Sequence, residues 1–341
     1  MNLSEVQTDI FYCDSDGVMS TATDYIKSFA SLRSDTNRRR WPQRTKHRAP
    51  HKPLLLLSVI DLFAEGAIKS NLIELTPDLC ETFTLYWSRV MPPDQRGNIA
   101  LPFSHLKSDG FWHLVPKPGK EEIVNAARGM KSASQLRELV LGARLDDKLY
   151  DLLRHEEARN ILRAVLIETY FVPEVQAGLA EQGVINQEAF AYSQELLRER
   201  RKEVVVKETD LRQAARDQGF RRAIVTAYQN CCAFCGIRVL TADGHTVVDA
   251  AHIVPWSLTH NDSPNNGMAL CRLCHWSFDE GMLGVSAYYL VLTSPQLFVS
   301  RNAPGHLITL SGRRIGEAIE ERFRPDLCAI KWHRQKVFRN R

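Results

Sequence analysis

The sequence predicts an α+β protein of two domains: a mainly helical N-terminal domain with a small strand component, and a C-terminal domain built around short strands and a metal site. At 341 residues the chain is too long for one ordinary core. Apolar residues in the first half recur at helical spacing. The second half contains the β-branched run "VVDAAHIVPWS" (247–257) and five of the eight cysteines within 231–274.

The clearest helices of the first half begin and end at recognisable residues. The stretch "PLLLLSVIDLFAEG" starts at Pro53 and stops at Gly66, as expected for a helix with proline in its first turn and glycine after its end. Its predicted core residues are Leu54, Leu55, Leu57, Ile60 and Leu62. A second helix should follow Thr76 as N-cap and Pro77 in the first turn.

The remaining elements follow from weaker patterns. Residues 24–33 predict a short helix, and residues 98–116 predict strands and turns broken at Asp109-Gly110. Residues 134–171 look helical up to Pro173. We therefore expect a first domain at 1–173, a charged linker at 174–204 and a second domain at 205–341.

Composition narrows the class of protein. A hydrophobic content of 44% with 25% charged residues is typical of a globular chain. No apolar run approaches the ~20 residues of a membrane span, and the N-terminus lacks the pattern of a secretory signal. Clustered cysteines indicate metal binding in a reducing compartment, so we expect a cytoplasmic protein without membrane contact.

Basic residues are concentrated in two segments. Residues 37–52 carry seven Arg and Lys and no acid, and residues 331–341 carry five and no acid, although the net charge is only +4. Such segments are often solvated surface. They also suit a polyanionic partner.

Four cysteines predict a zinc site. Cys232 and Cys235 form one CxxC pair, and Cys271 and Cys274 form another. Two thiolates on each of two tight turns suit tetrahedral Zn²⁺, and four thiolates leave no open position, so the ion should be structural. The alternative is four buried free cysteines. Cys231 lies outside the spacing.

His252 is the main catalytic candidate. It lies in the apolar run 247–257, directly before a bend at Pro255. It is either a half-buried core residue or a general base at a strand end. Asn266 follows 14 residues later and His275 nine residues after that, which favours the second interpretation.

The segments "DAAHIVPWS", "NNGMALC" and "CRLCHWSFDEG" together resemble the HNH nuclease motif. The resemblance implies a ββα-metal finger with His252 as general base, Asn266 orienting the loop and the histidine, and His275 as a metal ligand on the helix. Many members have an acid or histidine directly before the base, where this chain has Ala251. Asp249 is the substitute ligand that we predict.

This chemistry is consistent with phosphodiester hydrolysis. An imidazole accepts a proton from water near neutral pH. A hard ion such as Mg²⁺ or Mn²⁺, held by Asp249 and His275, stabilises the leaving oxygen. Alternatively, His275 has no role or replaces one thiolate at the zinc site.

The segments "HRAPHKPLLLL" and "LPFSHLKSDGFWHL" resemble the sulfur-binding domain of phosphorothioate-dependent restriction endonucleases, which join it to a C-terminal HNH module. Matching positions place the sulfur pocket at His47, Arg48, Leu101, Pro102 and His105. Further DNA contacts are predicted at Lys107, Arg128 and Lys131.

Such a pocket is chemically reasonable because an apolar surface accepts sulfur, whereas an anionic oxygen there would lose hydration. Arg48 supplies the charge that the phosphate still needs. The alternative is a basic helix start that touches any phosphate.

The resulting hypothesis is a type IV-like, modification-dependent endonuclease that acts on phosphorothioate-modified double-stranded DNA as a homodimer. The alternatives are an HNH enzyme that recognises another mark such as methylated cytosine, a zinc-ribbon DNA-binding regulator without activity, and a nonspecific toxin-like nuclease. The last is disfavoured by the large first domain.

Overall fold

The computed structural model describes residues 16–127, 129–198, 210–299 and 302–340. Its contacts divide the chain into two compact units. The boundary falls between Gly183 and Val184, and the short segment Ala242–Gly244 groups with the first unit.

The first unit is mainly helical, as predicted. Its helices are α1 (Asp16–Ala30), α2 (His51–Ala64), α3 (Pro77–Val90), α4 (Ala100–His105), α5 (Glu121–Ala126), α6 (Ala133–Leu139), α7 (Asp147–Leu153) and α8 (Glu156–Tyr170). Its two strands, β1 (Trp112–Pro116) and β2 (Val140–Leu145), pair antiparallel. Short 3-10 turns cover Gln43–Thr45 and Leu106–Asp109.

Helix α2 is the centre of the first core. Every residue from Lys52 to Phe63 is buried, including all five predicted core residues. Gly66 has a φ of 67°, a left-handed conformation that glycine adopts without strain, and it follows directly after the helix. The predicted start of α3 is also confirmed, because Thr76 Oγ1 accepts a hydrogen bond from the Leu79 amide.

Two predicted segments have a different structure. Residues 100–105 form α4 instead of a strand, because Ile99, Phe103 and Leu106 follow helical spacing and are all buried. The predicted helical stretch 134–171 is interrupted by β2. This strand pairs with β1 and bridges Ile73, and tertiary pairing of this kind overrides local propensity.

The second unit contains the short strands that we expected. Its elements are α10 (Asp210–Ala227), β3 (Val248–His252), α11 (Trp256–Thr259), β4 (Gly267–Cys271), α12 (Arg272–Asp279), β5 (Leu283–Val285), β6 (Val291–Thr293) and α13 (Leu327–Lys336). Both strand pairs, β3 with β4 and β5 with β6, are antiparallel. Short 3-10 turns occur at Pro264–Asn266, Pro295–Phe298, Gly305–Leu310 and Glu321–Phe323.

Helix α9 (Pro173–Arg198) occupies most of the interval predicted as a linker. Pro173 starts this helix as well as following α8, which suits a residue that needs no amide donor in a first turn. We propose domains at 1–173 and 205–341, and the charged interval between them is helical through Arg198. Among the described helices, none combines the length and apolarity of a membrane span.

Candidate active site and zinc centre

The four predicted zinc ligands come together in the second unit. The sulfur atoms of Cys232, Cys235, Cys271 and Cys274 all lie within 4.8 Å of one another. The Cys235 and Cys271 sulfurs are 3.8 Å apart. Zn–S bonds of about 2.3 Å place neighbouring sulfurs of a tetrahedron about 3.8 Å apart, so this donor set fits Zn²⁺.

The zinc ligands are fixed by the backbone around them. The first pair lies on a turn closed by a hydrogen bond from the Gly236 amide to the Cys232 carbonyl, and the Ala233 amide joins this turn to the Ala269 carbonyl in β4. The second pair spans the junction where β4 passes directly into α12. A metal at this position therefore joins the strand pair to the helix.

Strands β3 and β4 and helix α12 form the ββα arrangement. In the strand register His252 pairs with Gly267, so the histidine lies at the end of β3 beside the start of β4. Helix α10 packs closely against Gly267. A Cβ at this position would come within 2.6 Å of the side chain of Ile224 on α10, so only glycine fits here.

His252 is held by two contacts. Its ring stacks on Phe220, with centroids 3.8 Å apart and planes 7° from parallel. Its Nε2 lies 2.7 Å from Asp262 Oδ1. The side chain remains 21% exposed. The imidazole is therefore oriented by protein contacts and still reaches solvent.

Asp262 is the centre of a buried network. Its carboxylate accepts hydrogen bonds from Tyr192 Oη at 3.0 Å and Arg216 Nη1 at 3.0 Å, in addition to the bond with His252. Burial alone would raise the pKa of Asp262. The hydrogen bond from His252 and the charge of Arg216 outweigh it and hold that pKa below its ordinary value.

Asn266 closes the loop between β3 and β4. Its side chain accepts a bond from the Val254 amide at 3.0 Å and donates to the Val254 carbonyl at 3.0 Å and the Asn261 carbonyl at 2.9 Å. The side chain thus joins the residues just after His252 to the residue before Asp262. These hydrogen bonds fix the loop that brings Asp262 to His252, and the orienting role of Asn266 stays a prediction.

The predicted metal ligands lie on two elements. On α12, His275 Nε2 lies 3.4 Å from Asp279 Oδ2, and burial raises the pKa of Asp279 although His275 opposes that rise. On β3, Asp249 forms an ion pair with Arg221 at 2.9 Å. Within the described chain, the four cysteines are the only group of three or more His, Cys, Asp or Glu ligand atoms this close together.

In the first unit, His47 and Arg48 lie in the loop before α2. His47 has a left-handed φ of 57° and its Nδ1 lies 3.0 Å from the Trp41 carbonyl, so its ring is fixed. Arg48 is exposed. Lys52, in the first turn of α2, bonds Asp109 at 2.5 Å and so joins this helix start to the segment after α4.

The second half of the predicted pocket is on α4. Leu101 is partly exposed and His105 is exposed, but Pro102 is buried. Pro102 therefore contributes packing to the unit, and the accessible apolar surface of α4 comes from Leu101. Partial burial, followed by the charges of Lys52 and Lys107, lowers the pKa of His105.

The further DNA contacts have different environments. Lys107 bonds the Ala127 carbonyl at 2.6 Å, so its ammonium already has a partner in the protein. Lys131 is exposed. Arg128 lies outside the described residues.

Family comparisons agree with this architecture. Residues 29–186 match the model of the ScoMcrA-like DNA sulfur-binding domain, and residues 232–286 match a model of HNH endonucleases. The fold and the two matches define a DNA-binding protein with a nuclease domain. The match to the ScoMcrA-like DNA sulfur-binding domain precedes the match to HNH endonucleases, which is the architecture that the sequence motifs predicted.

Similarity to solved structures is limited to part of the chain. A solved structure described as "Modification dependent TagI restriction endonuclease" is similar over 39% of this chain and 44% of its own, with 23% identity and a TM-score of 0.27. The similarity therefore spans less than half of that protein. No curated protein matches the chain.

Sequence reasoning missed Asp262, Arg216, Tyr192 and Asp279. Asp262 lies in the polar segment "HNDSPNN", where an acid is unremarkable and no spacing distinguishes it. Asp279 was detectable, since it stands four residues after His275 and so shares a helix face with it.

Proposed function

We propose that this protein is a modification-dependent restriction endonuclease that binds phosphorothioate-modified double-stranded DNA and hydrolyses phosphodiester bonds nearby. The observation that carries the nuclease half is His252, a solvent-reaching imidazole bonded to a buried carboxylate within the residues that match the HNH family. The sulfur half rests on the match of residues 29–186.

His252 acts as the general base. Its Nε2 is engaged by Asp262, so Nδ1 is the nitrogen that accepts a proton from the attacking water. The Asp262 carboxylate favours the tautomer that carries its proton on Nε2, and this tautomer leaves a lone pair on Nδ1. Asn266 holds the loop that keeps His252 and Asp262 together.

A divalent ion, Mg²⁺ or Mn²⁺, is assigned to His275 and Asp279 on α12. Their donor atoms are 3.4 Å apart, close enough for both to bind one such ion. Asp249 would complete the donor set if Arg221, its ion-pair partner, bound a DNA phosphate instead. When bound, the ion stabilises charge on the leaving oxygen.

The first unit selects the substrate. Arg48 offers an exposed charge to the modified phosphate, while Leu101 offers an apolar surface on which sulfur is favoured over oxygen. We assign His47, Pro102 and His105 to the same sulfur pocket and Lys131 to a contact with the DNA backbone, as the sequence resemblance implies. We place the protein in the cytoplasm. We also propose a homodimer, because each HNH centre cuts one strand and two centres are needed to cut a duplex.

The test uses matched duplexes with and without a single phosphorothioate, in Mg²⁺ and in Mn²⁺. Wild-type protein should cut the sulfur-containing duplex in preference to the plain one, and His252→Ala should bind both without cutting. Equal cutting of both duplexes would leave a nuclease without sulfur selectivity.

Two further results would identify the alternatives. Cutting only of a duplex with methylated cytosine would assign another mark to the first unit. Binding without cutting under either ion would leave a zinc-containing DNA-binding protein and overturn the proposed activity.

A further inference from the structure

We propose that Asp262 is the positioning residue of the active site, one that fixes the tautomer and the ring orientation of His252. This inference rests on the proposed function, since it assigns to the base a carboxylate partner. Asp262 is not in the sequence motif. The structure places it against His252 through folding of the loop between β3 and β4.

The carboxylate is rigid because three elements hold it. Tyr192 on α9 and Arg216 on α10 donate to it, and His252 at the end of β3 completes the set. Only 4% of the Asp262 side chain is exposed. A buried carboxylate with charge-assisted bonds on both oxygens has little freedom, so the position of its His252 bond is well defined.

Arg216 is itself fixed, which makes the network more than a surface ion pair. Its guanidinium lies 3.7 Å from the Trp256 ring centroid, and only 14% of its side chain is exposed. Its charge keeps the proton from passing from His252 to Asp262. The carboxylate therefore orients and stabilises the protonated imidazole without becoming the base.

Two constraints then define where Nδ1 points. Stacking on Phe220 sets the plane of the His252 ring, and the Asp262 bond sets its rotation within that plane. Asn266 supports this geometry because it bonds the carbonyl of Asn261, the neighbour of Asp262. The lone pair of Nδ1 is thus aimed before substrate binds, which is the condition for efficient general-base catalysis.

The test compares Asp262→Asn with Asp217→Asn in the full chain. Both changes remove one carboxylate from Arg216, but only the first removes the partner of His252. Single-turnover cleavage of the phosphorothioate duplex and duplex binding are measured from pH 5.5 to 9. Asp262→Asn should cut on the order of 10²-fold more slowly or worse, with unchanged DNA binding.

The split between DNA binding and cleavage separates a positioning role from a structural one. Loss of the Asp262 bond leaves the imidazole free to rotate, so the single-turnover rate at saturating duplex should fall at every pH tested, while duplex affinity and zinc content stay those of wild type. Asp217→Asn, at a side chain that is 57% exposed, should leave that rate within about two-fold of wild type.

Folding is checked by thermal melting and zinc content. If Asp262→Asn does not fold, Asp262→Glu tests the positioning role instead. This variant keeps the charge beside Arg216 and displaces the carboxylate oxygens by one methylene. It should fold and cut more slowly than wild type, but faster than Asp262→Asn. A folded variant that cuts at the wild-type rate would overturn the role of Asp262, while wild-type protein that cuts nothing would overturn the proposed function instead.

Discussion

Two histidines of the second unit each stack on a phenylalanine, but they differ in exposure and in hydrogen-bond partner. His252 stacks on Phe220 with ring centroids 3.8 Å apart, and His333 stacks on Phe278 at 3.7 Å. His333 is only 2% exposed and its Nε2 bonds the Phe278 carbonyl, whereas His252 reaches solvent and bonds a carboxylate. Burial lowers the pKa of His333 to about 4.

The comparison shows that the partner and the exposure decide what an imidazole does. A carbonyl partner in a buried site favours the neutral form of His333. The Nδ1 atom of His333 has no hydrogen-bond partner among the described residues. A carboxylate partner stabilises the protonated form that a base must pass through. We therefore expect His333 to contribute to stability and His252 to catalysis.

The largest expected effect comes from the zinc centre, which lies beside both histidine environments. Strand β4 ends at the zinc ligand Cys271 and pairs with the strand of His252. Helix α12 carries the ligand Cys274 together with Phe278, on which His333 stacks. Cys274→Ser should cost most of the folding free energy of the second unit, because a structural zinc contributes on the order of 10 kcal/mol. Metal analysis should find about one zinc per wild-type chain.

The control is Cys328→Ser, which changes an exposed cysteine outside the cluster. It should keep the zinc content and the melting temperature of wild type. A Cys274→Ser protein that melts like wild type, or wild-type protein purified without zinc, would contradict a structural metal here.

The next effect concerns the two histidines directly. His252→Ala should lower cleavage by about 10²- to 10⁴-fold, the usual contribution of a general base, with unchanged DNA binding. His333→Gln should keep cleavage at neutral pH, because the amide still donates to the Phe278 carbonyl. Single-turnover rates on one duplex make the comparison. Similar losses in both variants would remove the distinction drawn between the two sites.

Local signals explain why parts of this fold were predictable. The start of α3 depends on Thr76 and Pro77, and the core of α2 depends on apolar spacing within one helix. Strand β2 was missed because its partners, β1 and Ile73, are distant in sequence. Helix α9 was missed because a polar, charged interval gives no clear apolar stripe.

The same distinction applies to the active site. His252, Asn266 and His275 occur at characteristic spacing in the sequence, and the four cysteines in two pairs. Asp262 could not be inferred, since its bond to His252 depends on how a polar loop closes through Asn266. The burial of Pro102 could not be inferred either, since it depends on how α4 packs in the first unit.

A smaller effect is expected in the pH dependence of stability. The folded pKa of His333, about 4, is below the ordinary value of 6.5, so the unfolded chain binds the proton more readily. Its stabilisation is complete above about pH 6.5 and is lost as pH falls towards 4. Between pH 7 and pH 5 this one group should lower the free energy of unfolding by about 2 kcal/mol.

Chemical denaturation of wild type and His333→Gln at both pH values measures that loss. Glutamine does not titrate, so the variant should lose about 2 kcal/mol less than wild type over the interval. Other buried groups, including His51, whose pKa burial and then Arg40 lower to about 4, are common to both proteins and cancel. An equal loss in the two proteins would show that His333 is not held neutral.

The smallest expected effect is on DNA binding by the first unit. Here too a packed side chain differs from an exposed one, since His51 lies between Trp41 and Trp87 while Arg48 is exposed. Arg48→Ala should weaken binding to every duplex and reduce its salt dependence, since it removes a phosphate contact. Leu101→Ala should instead reduce the preference for sulfur, by about ten-fold or 1–2 kcal/mol, because only sulfur gains from an apolar surface. Titrations of matched duplexes at fixed salt separate these outcomes. Equal wild-type affinity for the two duplexes would mean that the first unit recognises a different feature of DNA, and it would leave the assignment of His252 intact.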